Sequence, residues 1–280
     1  MAAIAAAIGI YLIATTVLIA KDGLFYIDQA RKLVGDLPGE PEIHLLGFPM
    51  MIASFRWILT ACGMGGGLNT WIVSAQAVSL LARLLCLIPV YLIGKRFVGR
   101  RRSILGIFIL IVLPLPAEWG ADTLRDFPSL LLLLSSLALL IAGAESGRMR
   151  FFALAGLACG IGIAIREELV QLVLYAMLWF AWRFLTARSW ADRGKQAASC
   201  LVFLIMVSLP AGLHICASGW RLPVKTTSLL LIMEGAEPSV ATGMVPSAAV
   251  SEDMSVSDAS YRIVQMLGGN FHEYFYPFWV

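Results

Sequence analysis

The chain has 280 residues, 59% of them hydrophobic and 14% charged, with a formal net charge of +3. That balance excludes an ordinary soluble domain and predicts an all-α protein that crosses a bilayer several times. The five cysteines form no CxxC pair and have no histidine cluster beside them, which argues against a metal or redox centre built on thiolates.

Seven apolar stretches follow one another: 2–20, 71–93, 104–117, 127–144, 151–165, 169–182 and 197–220. Three of them, 104–117, 151–165 and 169–182, fall short of the roughly 20 residues that cross a bilayer. They read as spans because the charge alternation needs them; without them Arg148 and Arg150 change sides. Connections 94–103, 145–150 and 183–196 hold 30 residues with 11 Lys or Arg and 2 acids. Connections 21–70, 118–126, 166–168 and 221–280 hold 122 residues with 9 Lys or Arg and 16 acids. Short Lys/Arg-rich connections mark the cytoplasmic side. The N-terminus is therefore expected inside a plasma or inner membrane, and any chemistry on the extracytoplasmic face.

In chain order, the first stretch competes with a signal-peptide reading. Met1-Ala-Ala-Ile lacks a basic n-region and the apolar run is long, so a retained span is expected. The first outer loop opens with Lys21-Asp-Gly-Leu-Phe-Tyr-Ile-Asp-Gln-Ala-Arg-Lys-Leu-Val34. As a helix lying along the membrane surface, it puts Asp22, Tyr26 and Gln29 on one face and Ile27, Ala30 and Val34 on an apolar stripe. Asp22 is either a carboxylate held at the lipid–water boundary or a helix N-cap. Asp28 reads as a surface ion pair, with Arg31 at i+3 and Lys32 at i+4.

A second juxtamembrane helix is expected over 44–55, with Gly47 permitting a tight entry and Pro49 in the first turn. His44 stands before it and is a candidate ligand contact. Gly63-Met-Gly-Gly-Gly67 has no Lys-Ser/Thr after it and reads as a flexible lead into the second span. Arg83 falls about halfway along that span. An ionised group there costs a few kcal/mol unless paired or hydrated, so an acid reached through a watery cavity is its expected partner.

The outer connection Glu118-Trp-Gly-Ala-Asp-Thr-Leu-Arg-Asp126 is dense in charge. Glu118, Asp122 and Asp126 recur every four residues, which aligns them on one face if the segment is helical. Such carboxylates could hold a divalent cation or a substrate. Alternatively, Asp126 caps the next helix, with Pro128 in its first turn. Arg166-Glu-Glu168 is a tight outer turn, where the arginine either pairs with its neighbours or clamps a lipid phosphate. Cys62 and Cys216 both approach the outer face and are a conceivable disulfide. The last 60 residues, 221–280, are expected to be an extracytoplasmic tail, an incomplete loop or domain.

Four of these stretches carry a family resemblance. The acid after the first span, with an aromatic and Ala-Arg following, resembles the first outer loop of GT-C membrane glycosyltransferases. These include relatives of the protein O-mannosyltransferases and of the aminoarabinose transferases that modify lipid A. Tyr91-Leu-Ile-Gly-Lys-Arg-Phe-Val-Gly-Arg-Arg-Arg102 is similar to the basic turn after their second span. Leu124-Arg-Asp-Phe-Pro-Ser-Leu-Leu131 resembles their second outer loop, and Phe152 to Glu168 their fifth span with its terminal arginine. The resemblance covers about residues 1–217. The chain departs from it at Gly23, where many members have a second acid, and in stopping at Val280 where members continue into further spans.

The resemblance implies a transmembrane module over 1–220, with first outer loop 21–70, and a polyprenyl-phosphate-linked sugar donor within the bilayer. Transfer would go to a glycan, lipid or protein hydroxyl, with inversion. Asp22 would be the general base; Arg166, with Arg125 as second candidate, would bind the donor phosphate. Tyr26, His44 and Asp126 would contact substrate, and Asp126 with Glu118 would take a divalent cation if one is used. No nucleic-acid partner is expected. Two rivals stand beside this reading. A transporter would be expected to show inverted repeats and polar breaks in mid-membrane. A catalytically silent membrane partner or fragment would share the fold.

Overall fold

The computed structural model describes residues 2–15, 21–39, 41, 46–113 and 122–217. Among them the regular elements are helical, with no strand. They are α1 (Ala2–Thr15), α2 (Lys21–Leu33), α3 (Gly47–Ala61), α4 (Leu68–Val98), α5 (Arg100–Val112), α6 (Asp126–Ser146), α7 (Met149–Ile165), α8 (Val170–Thr186) and α9 (Trp190–Ala217). A 3-10 turn, Glu167–Leu169, leads into α8. Each of the seven apolar stretches is wholly or partly helical.

Among the described residues four helices are long and apolar enough to cross a membrane: Leu68–Val98, Asp126–Ser146, Glu167–Thr186 and Trp190–Leu213. Ala2–Thr15 and Met149–Ile165 are shorter apolar helices. The outward faces explain why such helices need lipid. Leu81, Leu85, Ile88 and Leu92 form an exposed stripe on α4, and Leu201, Ile205, Leu209 and Leu213 one on α9. In water these would be large apolar patches; against acyl chains they are at rest.

The bundle is organised around α7, which packs against α6 and α9. Small residues allow the approach. A Cβ on Gly156 would collide with the Phe203 carbonyl, and one on Gly160 with the Val207 carbonyl. This is the spacing at which two membrane helices come together backbone to backbone. Ser136 adds a hydrogen bond across the α6–α7 seam, Oγ donating to the Ala155 carbonyl at 2.8 Å. Around this seam Leu140, Phe152, Ala155, Cys159, Phe180 and Phe203 make one apolar core.

A second core joins α2 and α3 to the bundle: Tyr26, Ile27 and Ala30 of α2, Phe48 and Ile52 of α3, Trp71, Ala75 and Val78 of α4, and Ile165 of α7. Here the expected face of α2 is corrected. Tyr26 and Gln29 are buried along with Ile27 and Ala30, while Val34 is exposed beyond the helix end. Docking onto α3 and α4 widens the buried arc until it takes in the polar residues. Pro49 does stand in the first turn of α3.

Between α4 and α5 the chain reverses at Gly99, whose φ of 81° suits a residue without a side chain. α4 is 31 residues long, about 46 Å at 1.5 Å per residue, and carries Lys95 and Arg96 past its apolar part. α5 ends at Val112, short of the expected 104–117, and residues 114–121 lie outside the described residues. Arg83 is buried, and its Nη2 donates to the Ile111 carbonyl at 3.3 Å. One partner is thus a carbonyl in the last turn of α5, where helix carbonyls lack intrahelical donors. The arginine borders an apolar cavity of about 210 Å³ with Ala5, Cys86, Leu110 and Phe127. Cys62 and Cys216 are both free thiols, so the disulfide expectation is withdrawn.

The helix ends sort into two groups. In one, Arg96 pairs with Glu145, Arg183 Nη1 donates to the Ala144 carbonyl at 3.4 Å, and Ser199 Oγ meets the Met149 sulfur at 3.4 Å. These contacts tie together the basic connections. In the other, Arg125 Nη1 donates to the Ile165 carbonyl at 3.5 Å and Arg166 pairs with Asp126. That second end carries the acids.

Candidate functional site

At the acidic end four segments meet. α2 contributes Asp22 and Tyr26. The residues before α6 contribute Arg125, and its first turn Asp126. Beyond the end of α7 stands Arg166, with the Glu167–Leu169 turn after it. α3 supports them from beneath, Phe48 meeting the Tyr26 ring edge to face with centroids 5.3 Å apart.

Two expectations for the 118–126 segment are corrected. α6 begins at Asp126 with Arg125 in the cap position, so Asp126 is a first-turn residue and not a side-chain cap. Its carboxylate is used by the Arg166 guanidinium instead. Asp122 lies in a bend and accepts from the Thr123 amide at 2.7 Å, so it shares no helical face with Asp126. Pro128 does occupy the first turn, and Ser129 Oγ closes it by donating to the Asp126 carbonyl at 2.8 Å.

Arg166 leaves the helix in an extended conformation, φ −149° and ψ 115°. This turns its side chain toward α6. Besides Asp126 it faces Glu168, with Nε 3.4 Å from Oε2. Arg125 is held differently. Its Nη1 donates to the Ile165 carbonyl at 3.5 Å and its guanidinium lies 5.7 Å from the centroid of the Tyr26 ring. Arg125 thus braces the last residue of α7, next to Arg166.

Tyr26 links these groups electrostatically. Burial pushes its phenol above the ordinary value. Arg125 opposes that push, Asp22 and Asp126 add to it, and Arg166 pulls the other way. Near neutral pH the phenol keeps its proton. Asp22 itself lies exposed in the first turn of α2, where the helix N-terminus favours a carboxylate.

Beside Arg166 opens a cavity of about 390 Å³, walled by α6 and residues 166–171. Its charged mouth is Asp126, Arg166 and Glu168; its walls are Phe127, Leu130, Leu133 and Leu169. A guanidinium at the head of an apolar slot is suited to an anionic group carrying a hydrocarbon tail.

The structure therefore gathers Asp22, Tyr26, Arg125, Asp126 and Arg166 at one end. His44 and Glu118 lie outside the described residues. Among the described residues no three His, Cys, Asp or Glu side chains gather as a metal site. Sequence reasoning passed over Ser129 and Gln171, which line the cavity. Ser129 was legible as the fourth residue of Asp126-Phe-Pro-Ser; Gln171 had only its rarity, an amide opening an apolar helix.

The family model that matches the chain places this helical membrane fold in the GT-C class of membrane glycosyltransferases. Within that class the chain belongs to the dolichyl-phosphate-mannose-protein mannosyltransferase family, whose model matches residues 49–211. The match runs from α3 to α9, so Asp22 and Tyr26 stand before it. No curated protein and no solved structure matches the chain.

Proposed function

We propose that the chain moves a sugar from a polyprenyl-phosphate-linked donor to an acceptor hydroxyl on the extracytoplasmic face. The observation that carries this reading is Arg166, beside Asp126 and Glu168, at the mouth of a cavity walled by Phe127, Leu130, Leu133 and Leu169, with the family membership beside it. The seven apolar stretches cross the bilayer in turn, the basic ends inside; the sorting of the helix ends supports that arrangement.

The lipid tail of the donor lies along Phe127, Leu130, Leu133 and Leu169, and its phosphate meets the planar fork of Arg166. Asp22 takes the proton of the acceptor hydroxyl as its oxygen attacks the anomeric carbon. A carbon–oxygen bond forms on the face opposite the phosphate while the bond to the phosphate oxygen breaks. The configuration inverts, and the electron pair leaves on the lipid phosphate, where Arg166 stabilises it. Asp126 positions substrate and holds Arg166; Arg125, the second phosphate candidate, is better placed to brace it. The acceptor is a glycan, a lipid or a protein.

Incubating the purified protein with labelled polyprenyl-phosphate sugars and candidate acceptors tests this. Transfer is expected from the wild type. Donor binding is expected to be lost in Arg166→Ala and weakened in Arg166→Lys, which keeps the charge but not the fork. Unchanged donor binding in Arg166→Ala would move the phosphate site, with Arg125 next to test. A wild type that binds no such donor would favour the silent-partner reading.

A further inference from the structure

Arg166 is shared by two carboxylates. Asp126 pairs with Nη1, and Glu168 lies 3.4 Å from Nε. All three side chains border the same cavity. They are part-buried, with exposures of 28% for Arg166, 43% for Asp126 and 34% for Glu168, so their charges act on a ligand there more strongly than in bulk water. From α2 the site receives the charge of Asp22 and the neutral phenol of Tyr26. The segment before α6 brings Arg125, already engaged with the Ile165 carbonyl, and the turn brings Glu167 beside Glu168. The surroundings of the guanidinium are on balance negative.

A phosphodiester carries one negative charge throughout the working pH range. A phosphate monoester ionises a second time near pH 6 and carries roughly −1.5 to −2 at pH 7. One charge is enough to engage the fork of Arg166; the additional charge meets Asp126 and Glu168 at close range.

We infer that Asp126 and Glu168 make the Arg166 cavity selective for a singly charged phosphodiester headgroup over the doubly charged monoester. The inference rests on the reading of Arg166 as a lipid-phosphate site. Its chemical consequence is directional. The glycosylated lipid is a diester and the lipid left after transfer is a monoester, so the same two carboxylates that tolerate the substrate expel the product.

Two probes with one tail test it: farnesyl phosphate and its methyl phosphodiester, bound to the full-length protein in nanodiscs. At pH 7.5 the wild type should bind the diester about fivefold more tightly, and the gap should close at pH 5.5 as the monoester regains its proton. Diester affinity at the two pH values controls for titration of the protein itself. Asp126→Asn and Glu168→Gln should each improve monoester binding at pH 7.5 more than diester binding. If Asp126→Asn does not fold, Glu168→Gln carries the test alone. Equal wild-type affinity for both probes, with both lost in Arg166→Ala, would overturn the selectivity and leave the phosphate site standing. Undiminished binding of both probes in Arg166→Ala would overturn the phosphate site itself.

Discussion

Gly47 and Ala164 lie backbone against backbone: a methyl group on Gly47 would collide with the Ala164 carbonyl and the Ile165 amide. The start of α3 is thus seated on the end of α7, two residues before Arg166. Any widening of that contact moves the residue proposed to hold the donor.

Gly47→Ala should therefore cost about 1–3 kcal/mol, the usual range for overpacking a tight contact, and weaken donor binding in the protein that still folds. Gly65, with nothing within 4 Å of its would-be Cβ, is the control. Gly65→Ala should stay within about 0.5 kcal/mol. Thermal unfolding of both variants in one detergent separates them; equal melting temperatures would mean that α3 yields freely and does not fix the turn.

Tyr26 gives a pH prediction. Its folded pKa is raised above the unfolded value by burial, with Arg125 opposing and Asp22 and Asp126 assisting. A raised tyrosine contributes stability that is fully present below its unfolded pKa, near 10, and is lost as pH rises through its folded value. Tyrosinate absorbance followed to high pH should show one late-titrating phenol, absent in Tyr26→Phe. Stability of the wild type should fall more steeply than that of Tyr26→Phe above about pH 10. Identical alkaline profiles would place the phenol in water.

Membrane orientation is open to direct measurement. Cys62 is an exposed thiol between α3 and α4, in the acidic connection proposed to face outward, and Ser189 is exposed in the basic connection before α9. In a background with Cys216→Ser, an impermeant maleimide should label Cys62 in intact cells. With Cys62 also replaced, Ser189→Cys should label only after permeabilisation, while Ser257→Cys should label like Cys62. Reversal of the pattern would put the acidic end in the cytoplasm and displace the proposed chemistry with it.

The apolar helices were legible because they follow from a quantity summed over many residues, the length of each apolar run. The meeting of Asp126 with Arg166 was only half legible. Each was marked by its place at a helix end, but the pair spans 40 positions and depends on α6 packing against α7. The burial of Tyr26 and Gln29 was not legible. Periodicity assigns a face from apolar residues alone, and here α2 packs against both α3 and α4, which buries polar side chains beside the apolar ones. Likewise the rule that an acid before Phe-Pro caps a helix failed at Asp126, because an arginine from another helix competes for the carboxylate more strongly than a backbone amide does.

Asp22 is the sharpest of the proposed roles to test. It is the first acid after the first apolar stretch, it is exposed, and its charge reaches the phenol that Asp126, Arg125 and Arg166 also influence. Asp22→Asn preserves shape but removes the proton acceptor, so expression and unfolding temperature should hold while transfer drops by roughly two to four orders of magnitude. Donor binding should change little, since the phosphate is proposed to sit at Arg166. Asp28, six residues on, is the internal comparison: it is exposed and its carboxylate lies 3.8 Å from Arg31. Asp28→Asn should lose a few tenths of a kcal/mol at most and retain full transfer. Equal activity of the two variants would reduce Asp22 to a charge that favours a helix N-terminus, and the base would have to be sought elsewhere among the acids of the outer face.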